Sequence, residues 1–237
     1  FATLAAYSDR DTPSSMRLTH LAVNDVGAFG RSGPARDNFR MAQRRAAALA
    51  KAGGMRLLTC SSNIDELYHA AGSRVFSTTH SLRNAAAAHV SSGVLSCYLY
   101  SSAVPFREIG LASMPKPDTA YIDPMLLPLL STERFKIVSA CAGLTRVEKT
   151  ALVAGDRRAH RQLDVCVNGE HDREKSEFPN CSTCWKCVRT LATLEGLGKL
   201  DAFEGVFDLR KYHAERESLL RKLAARARSG VSLDQEV

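Results

Sequence analysis

Cys181, Cys184 and Cys187 recur at every third residue of the short stretch PNCSTCWKCVRT, residues 179–190. Thiolates at this spacing around a tight turn face one centre and can bind a metal ion together. The chain has seven cysteines, and its first residues lack the basic n-region and cleavage site of an export signal. We therefore expect a reducing, cytoplasmic compartment and a metal-stapled loop rather than a disulfide scaffold.

The predicted fourth ligand is Cys166, which ends the short apolar run LDVC upstream of the triplet. Four soft thiolates suit Zn²⁺, whereas His171 would compete for the same place as a harder ligand. With four protein ligands and no open position, the zinc would be structural rather than catalytic. Lys186 and Arg189 stand close enough in sequence to offset the negative charge of such a centre.

Two other interpretations of the cysteines stay open. The triplet could be three reduced surface cysteines, although this spacing is rare without a metal. An iron–sulfur cluster also uses four cysteine thiolates.

The rest of the chain alternates between strand-like and helical patterns. Helical patterns cover residues 35–52, which Gly53 and Gly54 end, and residues 79–103, before Pro105. Short apolar β-type runs predict four strands, at residues 17–25, 55–60, 107–113 and 135–144. Strands spaced by helices imply crossover connections, so we predict an α/β fold of Rossmann type, with a mainly parallel sheet and helices on both faces.

A third helix is predicted where Thr145 stands as the N-cap and Glu148 occupies the capping-box position. After about Arg161 the pattern changes to a cysteine-bearing loop followed by a basic helical tail. We therefore divide the chain into an α/β domain, residues 1–160, and a small zinc-stapled helical region, residues 161–237.

The formal net charge of +7 predicts a surface that attracts anions. Nucleotides, nucleic acids and acidic partners all fit this sign. Nucleic acid is not favoured, because aromatic residues make up only 7% of the chain and no RNA-binding signature occurs.

Residues 84–106 contain no charged side chain and would be long enough to span a bilayer. The stretch holds His89 and five serines, and its apolar content is mainly alanine. We therefore interpret it as a buried core helix and expect no membrane partner.

The run LDVC…NCSTCWKCVRTLATLEGLG after LTRVEKTALV resembles the PP-loop ATP pyrophosphatase superfamily, in particular the branch that includes cyano-deazaguanine synthase. Leu82-Arg83-Asn84 is similar to that branch's PGRN-type entry into a long alanine-rich helix. TAYIDP, with Asp123, is similar to its aspartate-bearing loop. LTRVEK is similar to the branch's segment lsKaeI, with Arg146 where the family often has lysine.

The resemblance implies an adenylating enzyme with a HUP-like nucleotide-binding domain and a structural Zn²⁺. A substrate oxygen, from a carboxylate or amide, would attack the α-phosphorus of ATP with Mg²⁺, and pyrophosphate would leave. A nitrogen or sulfur nucleophile would then displace AMP, with C–N bond formation on a small molecule or modified base. The implied phosphate or substrate contacts are Arg83, Arg146 and Lys149, and the implied nucleotide or metal contacts are Asn84 and Asp123.

Each of these residues also has a structural interpretation. Arg83 could simply occupy the first turn of a helix, and Arg146 and Lys149 could lie on a solvated face. Asp123, which precedes Pro124, could be a turn residue.

The superfamily's phosphate-binding loop, S-G-G-x-D-S, does not occur in this sequence. In the family it stands between the first strand and the first helix, where its N–H groups hold the leaving pyrophosphate. FATLAAYSD is similar to that first helix, which would make Phe1 the residue after the loop. A sheet without its central first strand leaves backbone groups unpaired at about 1–3 kcal/mol each. We therefore expect a longer protein whose residues before Phe1 supply the strand and the loop.

Two rival functional hypotheses stay open. A non-enzymatic module would use the cysteine loop and the basic tail to bind a protein or RNA partner. A tRNA sulfurtransferase would use Cys60 or Cys141 as a sulfur carrier, although a buried small hydrophobe is the commoner role. For the adenylating enzyme we expect a small-molecule substrate, and a homodimer is compatible with the resemblance.

Overall fold

The computed structural model describes residues 1–8, 12–29, 34–72, 76–109, 117–166, 171–172 and 176–228. The chain forms two compact units, one of Tyr7–Gly143 and one of Phe1–Ala6 with Leu144–Val237. The boundary that we predicted after residue 160 lies inside the second unit, because a helix that begins at Arg146 packs against a later helix of that unit.

The first unit alternates strands and helices. Helix α1 (Ala2–Tyr7) ends at the first residue of this unit. The elements that follow are β1 (His20–Asp25), α2 (Pro34–Ala52), β2 (Arg56–Ser61), α3 (Ile64–Ala70), α4 (His80–Val90), β3 (Cys97–Ser101), α5 (Asp123–Leu129) and β4 (Lys136–Ala140).

Both strand pairs of the first unit are parallel. β1 pairs with β2, with His20 opposite Arg56, and β3 pairs with β4, with Cys97 opposite Lys136. Within the described residues these are two separate two-stranded sheets. The α/β class and the parallel pairing are therefore confirmed, and the larger Rossmann-type sheet stays a prediction.

Helix α2 ends where the sequence predicts. Its last residue is Ala52, and the amide of Gly53 donates to the Leu49 carbonyl at 3.0 Å. Gly54 then adopts a φ of +66°, a left-handed conformation that glycine reaches without strain. The chain turns there directly into β2, so the glycine pair sets the crossover between β1 and β2.

The predicted helix over residues 79–103 is wrong in its second half. Helix α4 ends at Val90, turns follow, and β3 then runs from Cys97 to Ser101. Ser91, Ser92 and Gly93 interrupt the helix, and the aromatic run CYLY favours a strand.

Of the predicted strand at 107–113, the first residues belong to a 3₁₀ turn, Phe106–Glu108, and residues 110–113 lie outside the described residues.

A small apolar core lies where α5 packs against α4 and β4. Ala85 and Ala88 contribute small side chains from α4, which lets the helix approach closely. Leu127, Phe135 and Ile137 are completely buried beside them. In the part of the chain that the structure describes, no helix combines the length and apolarity needed to cross a membrane.

The second unit is helical. Its helices are α1 up to Ala6, α6 (Arg146–Ala154), α7 (Ala159–Gln162), α8 (Trp185–Gly196) and α9 (Leu209–Arg228). The predicted capping box of α6 is confirmed, because the Glu148 amide donates to Thr145 Oγ1 at 3.1 Å and the Thr145 amide donates to Glu148 Oε2 at 2.7 Å. Fully buried side chains form its core, among them those of Leu191, Leu194, Phe203, Val206, Phe207 and Tyr212.

Candidate metal centre

The four predicted cysteines meet at one point of the second unit. The Sγ atoms of Cys166, Cys181, Cys184 and Cys187 all lie within 4.8 Å of one another. Sγ of Cys184 lies 3.4 Å from that of Cys187, and the Cys166–Cys184 and Cys181–Cys187 separations are both 3.9 Å. The seven described cysteines form no disulfide. The cluster therefore could hold a metal ion such as zinc.

The spacing of the sulfur atoms fits a single tetrahedral ion. With metal–sulfur bonds of about 2.3 Å, the sulfur atoms at the corners of a tetrahedron stand about 3.8 Å apart. The closest separations here are 3.4 and 3.9 Å. An iron–sulfur cluster contains several metal ions, so its thiolate ligands would have to stand further apart.

Helix α8 begins inside the cluster. Cys184 is its N-cap residue, and Cys187 lies in its first turn, fully buried. The Cys184 amide, one of the donors that a helix start leaves unpaired, donates to Sγ of Cys181 at 3.2 Å. The positive end of the helix dipole also lies here and favours anionic sulfur.

The side chain of Asn180 forms hydrogen bonds with the segment that brings Cys166 to the cluster. Its Oδ1 accepts from the amides of Val165 at 2.8 Å and Cys166 at 3.1 Å. Its Nδ2 donates to the carbonyls of Leu163 at 2.7 Å and Val206 at 2.9 Å. The side chain is 1% exposed, so these four bonds replace water for all the groups involved. Sequence reasoning missed this residue, since its partners are distant in sequence.

Ser182 fixes the turn between the first two cysteines of the triplet. Its φ is +63°, in the left-handed region that costs a non-glycine residue about 1–3 kcal/mol. The side chain is completely buried, and its Oγ accepts the Asp208 amide at 2.9 Å. The hydrogen bond holds the strained residue in place, so the turn shape depends on the segment before α9.

The structure bears on two alternatives, His171 as the fourth ligand and a set of reduced surface cysteines. Nε2 of His171 donates to the Phe178 carbonyl oxygen at 3.0 Å, and His171 is not part of the cluster. Cys166, Cys181 and Cys187 are each no more than 8% exposed. Because these three cysteines are buried, they are not a set of surface cysteines.

The short distances between the four thiols affect the pKa of Cys187. The pKa of Cys187 is raised well above its ordinary value, first by its hydrogen bond with Cys184, then by burial and by the neighbouring thiols. Four thiolates this close repel one another unless a cation lies between them. A divalent ion would stabilise the deprotonated form of the whole set.

Basic side chains gather beside the cysteines around Trp185. Lys186 Nζ lies 5.5 Å from the ring centroid, and the guanidinium carbons of Arg189 and Arg226 lie at 5.0 and 4.7 Å. Burial first, and then the charges of Arg189 and Arg146, lower the pKa of Lys186. Lys186 and Arg189, which we predicted to offset the negative charge of the cysteines, thus lie together. Arg146 is near enough for its charge to lower the pKa of Lys186.

Lys149, the other basic residue predicted on α6, is 5% exposed. A lysine so deeply buried does not belong to a solvated helix face. It lies in the second unit with Arg146, whereas the other predicted contacts belong to the first unit.

Arg83 lies in the interior of the first unit and is 2% exposed. Its Nε donates to Thr79 Oγ1 at 2.8 Å and its Nη1 to the Val26 carbonyl at 3.2 Å. The guanidinium carbon lies 4.6 Å from the Tyr68 ring centroid and 5.3 Å from that of Phe76. In this conformation the guanidinium joins α4 to the loop after β1.

Asn84 connects α4 with β1. Its Nδ2 donates to the His80 carbonyl at 2.8 Å, and its Oδ1 accepts from Nδ2 of Asn24 at 3.1 Å. The same amide of Asn24 lies 3.4 Å from the hydroxyl of Tyr98 on β3. Burial raises the pKa of Tyr98 to about 12, so this hydroxyl keeps its proton.

Asp123 is completely buried at the first turn of α5, and among the described residues neither carboxylate oxygen has a hydrogen-bond partner. Burial raises its pKa above 3.8, while Ser81 and His80 oppose that rise. A buried carboxylate without partners is rare in a stable fold. Within the part of the unit that the structure describes, Asp123 is therefore a buried carboxylate that its own chain does not satisfy.

Sequence reasoning missed a hydrogen-bonded chain beside Asp123. His80 Nε2 lies 3.0 Å from Asp118 Oδ1, and His80 Nδ1 lies 2.8 Å from the Tyr100 hydroxyl. Asp118 also accepts the Ala120 amide at 3.0 Å. No spacing motif links these residues, because the fold alone brings them together.

The candidate sulfur carriers are both partly buried. Cys60 lies on β2, and Cys141 follows β4 with a φ of 57°. Within the described ranges, neither belongs to a group of metal-binding side chains.

Comparison with known proteins adds no relative: no family model matches the chain, and no curated protein or solved structure matches it at a significant level.

Proposed function

We propose that Cys166, Cys181, Cys184 and Cys187 bind one structural Zn²⁺. The observation that carries this proposal is the convergence of four Sγ atoms within 4.8 Å in a largely buried cluster. Four thiolates leave no open position for a substrate, and Zn²⁺ accepts four thiolates readily. The ion would tie the segment that ends at Cys166 to the start of α8.

Metal analysis of the purified protein tests this. We expect about one zinc per chain, and loss of zinc from the double variant Cys166→Ala/Cys184→Ala. The matched control is Cys97→Ala, which removes an exposed cysteine of the other unit. Absence of zinc from the wild type, its retention by the double variant, or iron in its place would refute a structural zinc centre.

We further propose that the chain belongs to an ATP-dependent adenylating enzyme of PP-loop type. The α/β unit supports this, because parallel strands joined by crossover helices place ligands beyond their carboxyl ends. β1 and β3 approach each other through Asn24 and Tyr98, at 3.4 Å between side chains, while each pairs with a different strand. Side chains of the two strand pairs therefore meet, as they would within one larger sheet.

In this proposal ATP and Mg²⁺ would bind near the carboxyl ends of the strands. Asn84 and Asp123 would contact the nucleotide or its metal, and Arg83 would contact a phosphate after leaving its present partners. Arg146 and Lys149, which the resemblance implies as further phosphate contacts, belong to the second unit. The buried carboxylate of Asp123 supports this assignment, since a ligand would satisfy its unbonded oxygens.

The first test is to read the coding sequence upstream of Phe1. A strand followed by S-G-G-x-D-S would support adenylation, and the full protein should then exchange labelled pyrophosphate into ATP when a carboxylate substrate is present. A broken loop would contradict the proposal.

The second candidate is a module without enzymatic activity that binds a partner through the cysteine loop and α9. The observation that favours it is the gathering of Lys186, Arg189 and Arg226 around one ring of the second unit. Intact binding of a partner by a protein that forms no adenylate would distinguish it. A sulfurtransferase, in contrast, would lose activity on replacement of Cys60 or Cys141.

A further inference from the structure

Cys184 is the member of the cysteine cluster that reaches the surface. It is partly exposed, whereas Cys166, Cys181 and Cys187 are buried and are each no more than 8% exposed. Buried cysteines are inert towards solutes, and oxidation begins at a thiolate that solvent can reach. An oxidant that comes from solution therefore meets the sulfur of Cys184 first.

Cys187 is placed to form a disulfide with Cys184. Their Sγ atoms lie 3.4 Å apart, closer than the 3.9 Å of the Cys166–Cys184 and Cys181–Cys187 pairs. The two residues stand three positions apart at the start of α8, where Cys184 is the N-cap. Cα atoms at that spacing on an α-helix are about 5 Å apart, within the range of about 4.4–6.8 Å that a disulfide spans. Rotation of the two side chains is therefore enough to form the bond.

Cys181, in contrast, is held where it is. Its Sγ accepts the Cys184 amide at 3.2 Å and the Thr183 hydroxyl at 3.8 Å. The turn that carries it is fixed by Ser182, whose Oγ accepts the Asp208 amide. Such hydrogen bonds orient a sulfur atom and hold its charge in place. Cys187 rather than Cys181 is therefore the expected partner of an oxidised Cys184.

We propose that a peroxide oxidises Cys184 and that Cys187 then closes a disulfide with it, which releases the metal. This inference rests on the zinc centre proposed above. The Cys184 thiolate attacks one oxygen of hydrogen peroxide, the O–O bond breaks, and the departing hydroxide takes up a proton to become water. The Cys187 thiolate then attacks the sulfenic acid at Cys184, the S–S bond forms, and a second hydroxide leaves as water. Both thiolates together lose two electrons, and one peroxide is reduced to two waters with two protons from solvent.

The disulfide would remove two of the four ligands of the proposed zinc. The thiolates of Cys166 and Cys181 alone would bind the ion far more weakly than four thiolates do. The connection through the ion between Cys166 and α8 would then be lost, and a dithiol that reduces the disulfide would restore it. Oxidation of Cys184 would thus make the second unit respond to peroxides.

The experiment treats the intact, zinc-loaded protein with hydrogen peroxide. A chromogenic chelator follows zinc release, and mass spectrometry of alkylated peptides locates the disulfide. We expect about one zinc released for each disulfide formed, a bond between Cys184 and Cys187, and renewed zinc binding after reduction. Cys97→Ala, which removes an exposed cysteine of the other unit, should behave as the wild type does.

Two matched variants keep four metal ligands and differ in whether the cysteine pair remains. Histidine also binds zinc, so Cys184→His and Cys166→His should both retain the ion. Peroxide should release zinc about tenfold more slowly from Cys184→His, because the thiols that remain are buried. Cys166→His keeps the pair and should lose zinc as fast as the wild type. If either variant fails to bind zinc, the position of the disulfide in the wild type decides.

Three results would overturn the proposal: zinc-loaded protein that forms no disulfide with peroxide, a disulfide that joins a different pair of cysteines, or equal rates of zinc release from the two histidine variants. A wild type purified without zinc would contradict the zinc centre instead. Mapping the disulfide in that reduced, metal-free protein would still test whether Cys184 pairs with Cys187.

Discussion

The backbone amide of Cys166 donates to the side-chain oxygen of Asn180 at 3.1 Å, and this bond holds the fourth cysteine against the triplet. Asn180 stands next to Cys181 in the chain, so one residue links both halves of the cluster. The proposed metal centre therefore depends on a neutral side chain as well as on its cysteines.

Asn180→Ala should destabilise the second unit strongly. It removes the Asn180 partner of the Val165 amide and of two carbonyls, at about 1–3 kcal/mol for each group that water cannot reach, while the Cys166 amide keeps Asp164 Oδ1 at 3.2 Å. Urea unfolding and zinc transfer to a chelator measure the effect. Asn180→Asp keeps the acceptor and loses the donor, so it should fall between Ala and wild type; an unchanged unfolding midpoint for the alanine variant would contradict this role.

Gly27→Ala should destabilise the first unit. Gly27 has a φ of +101°, and an added Cβ would lie 2.7 Å from Arg83 Nη1 and 2.8 Å from the Cβ of Asp65. Both the backbone strain and the clash oppose alanine, so we expect a loss of about 1–3 kcal/mol in unfolding free energy.

Gly93→Ala is the control for that substitution, because its Cβ would meet open space and its φ is not left-handed. It should change the unfolding free energy by less than about 0.5 kcal/mol. Equal losses for the two variants, measured by thermal unfolding, would show that the contact with Arg83 is not a constraint.

Asp123→Asn should stabilise the first unit at neutral pH and weaken any nucleotide binding there. The folded pKa of Asp123 is raised above 3.8, so the folded state holds the proton more tightly than the unfolded chain. Stability due to this group is therefore present below pH 3.8 and is lost as the pH rises through the folded pKa. The stabilising effect of asparagine should grow over that same interval.

Unfolding of wild type and Asp123→Asn between about pH 3.5, just below the ordinary carboxyl pKa of about 4, and about pH 7.5, well above it, measures this difference. Asp37→Asn, at an exposed position of α2, is the control and should show no such trend. A stability difference that does not change with pH would show that the carboxylate is ionised without cost.

Removal of the metal should unfold the second unit. Without an ion, the thiolates repel one another and must take up protons, so a strong chelator should lower the unfolding free energy by about 5 kcal/mol or more. Circular dichroism of the helices and Trp185 emission follow the change, and added Zn²⁺ should reverse it. A protein that keeps its unfolding midpoint after complete zinc loss would show that the cysteines pack as ordinary buried side chains.

Local patterns were enough to predict several elements. The capping box of Thr145 and Glu148, the glycine end of α2 and the apolar runs of β1, β2 and β4 all depend on residues close in the chain. The prediction failed at residues 91–103, where an uncharged, alanine-rich start suggested a continuous helix. There β3 forms because its aromatic residues pair with β4, a contact that periodicity does not contain.

The sequence by itself determined the triplet of Cys181, Cys184 and Cys187, because their spacing places them on one turn, and it favoured Cys166 over His171 as the fourth ligand. Only the tertiary structure decided what surrounds them. Asn180 meets Val206, and Arg226 meets Trp185, across segments that are distant in sequence. Such contacts follow from how helices pack around a shared core, so no local pattern of residues specifies them.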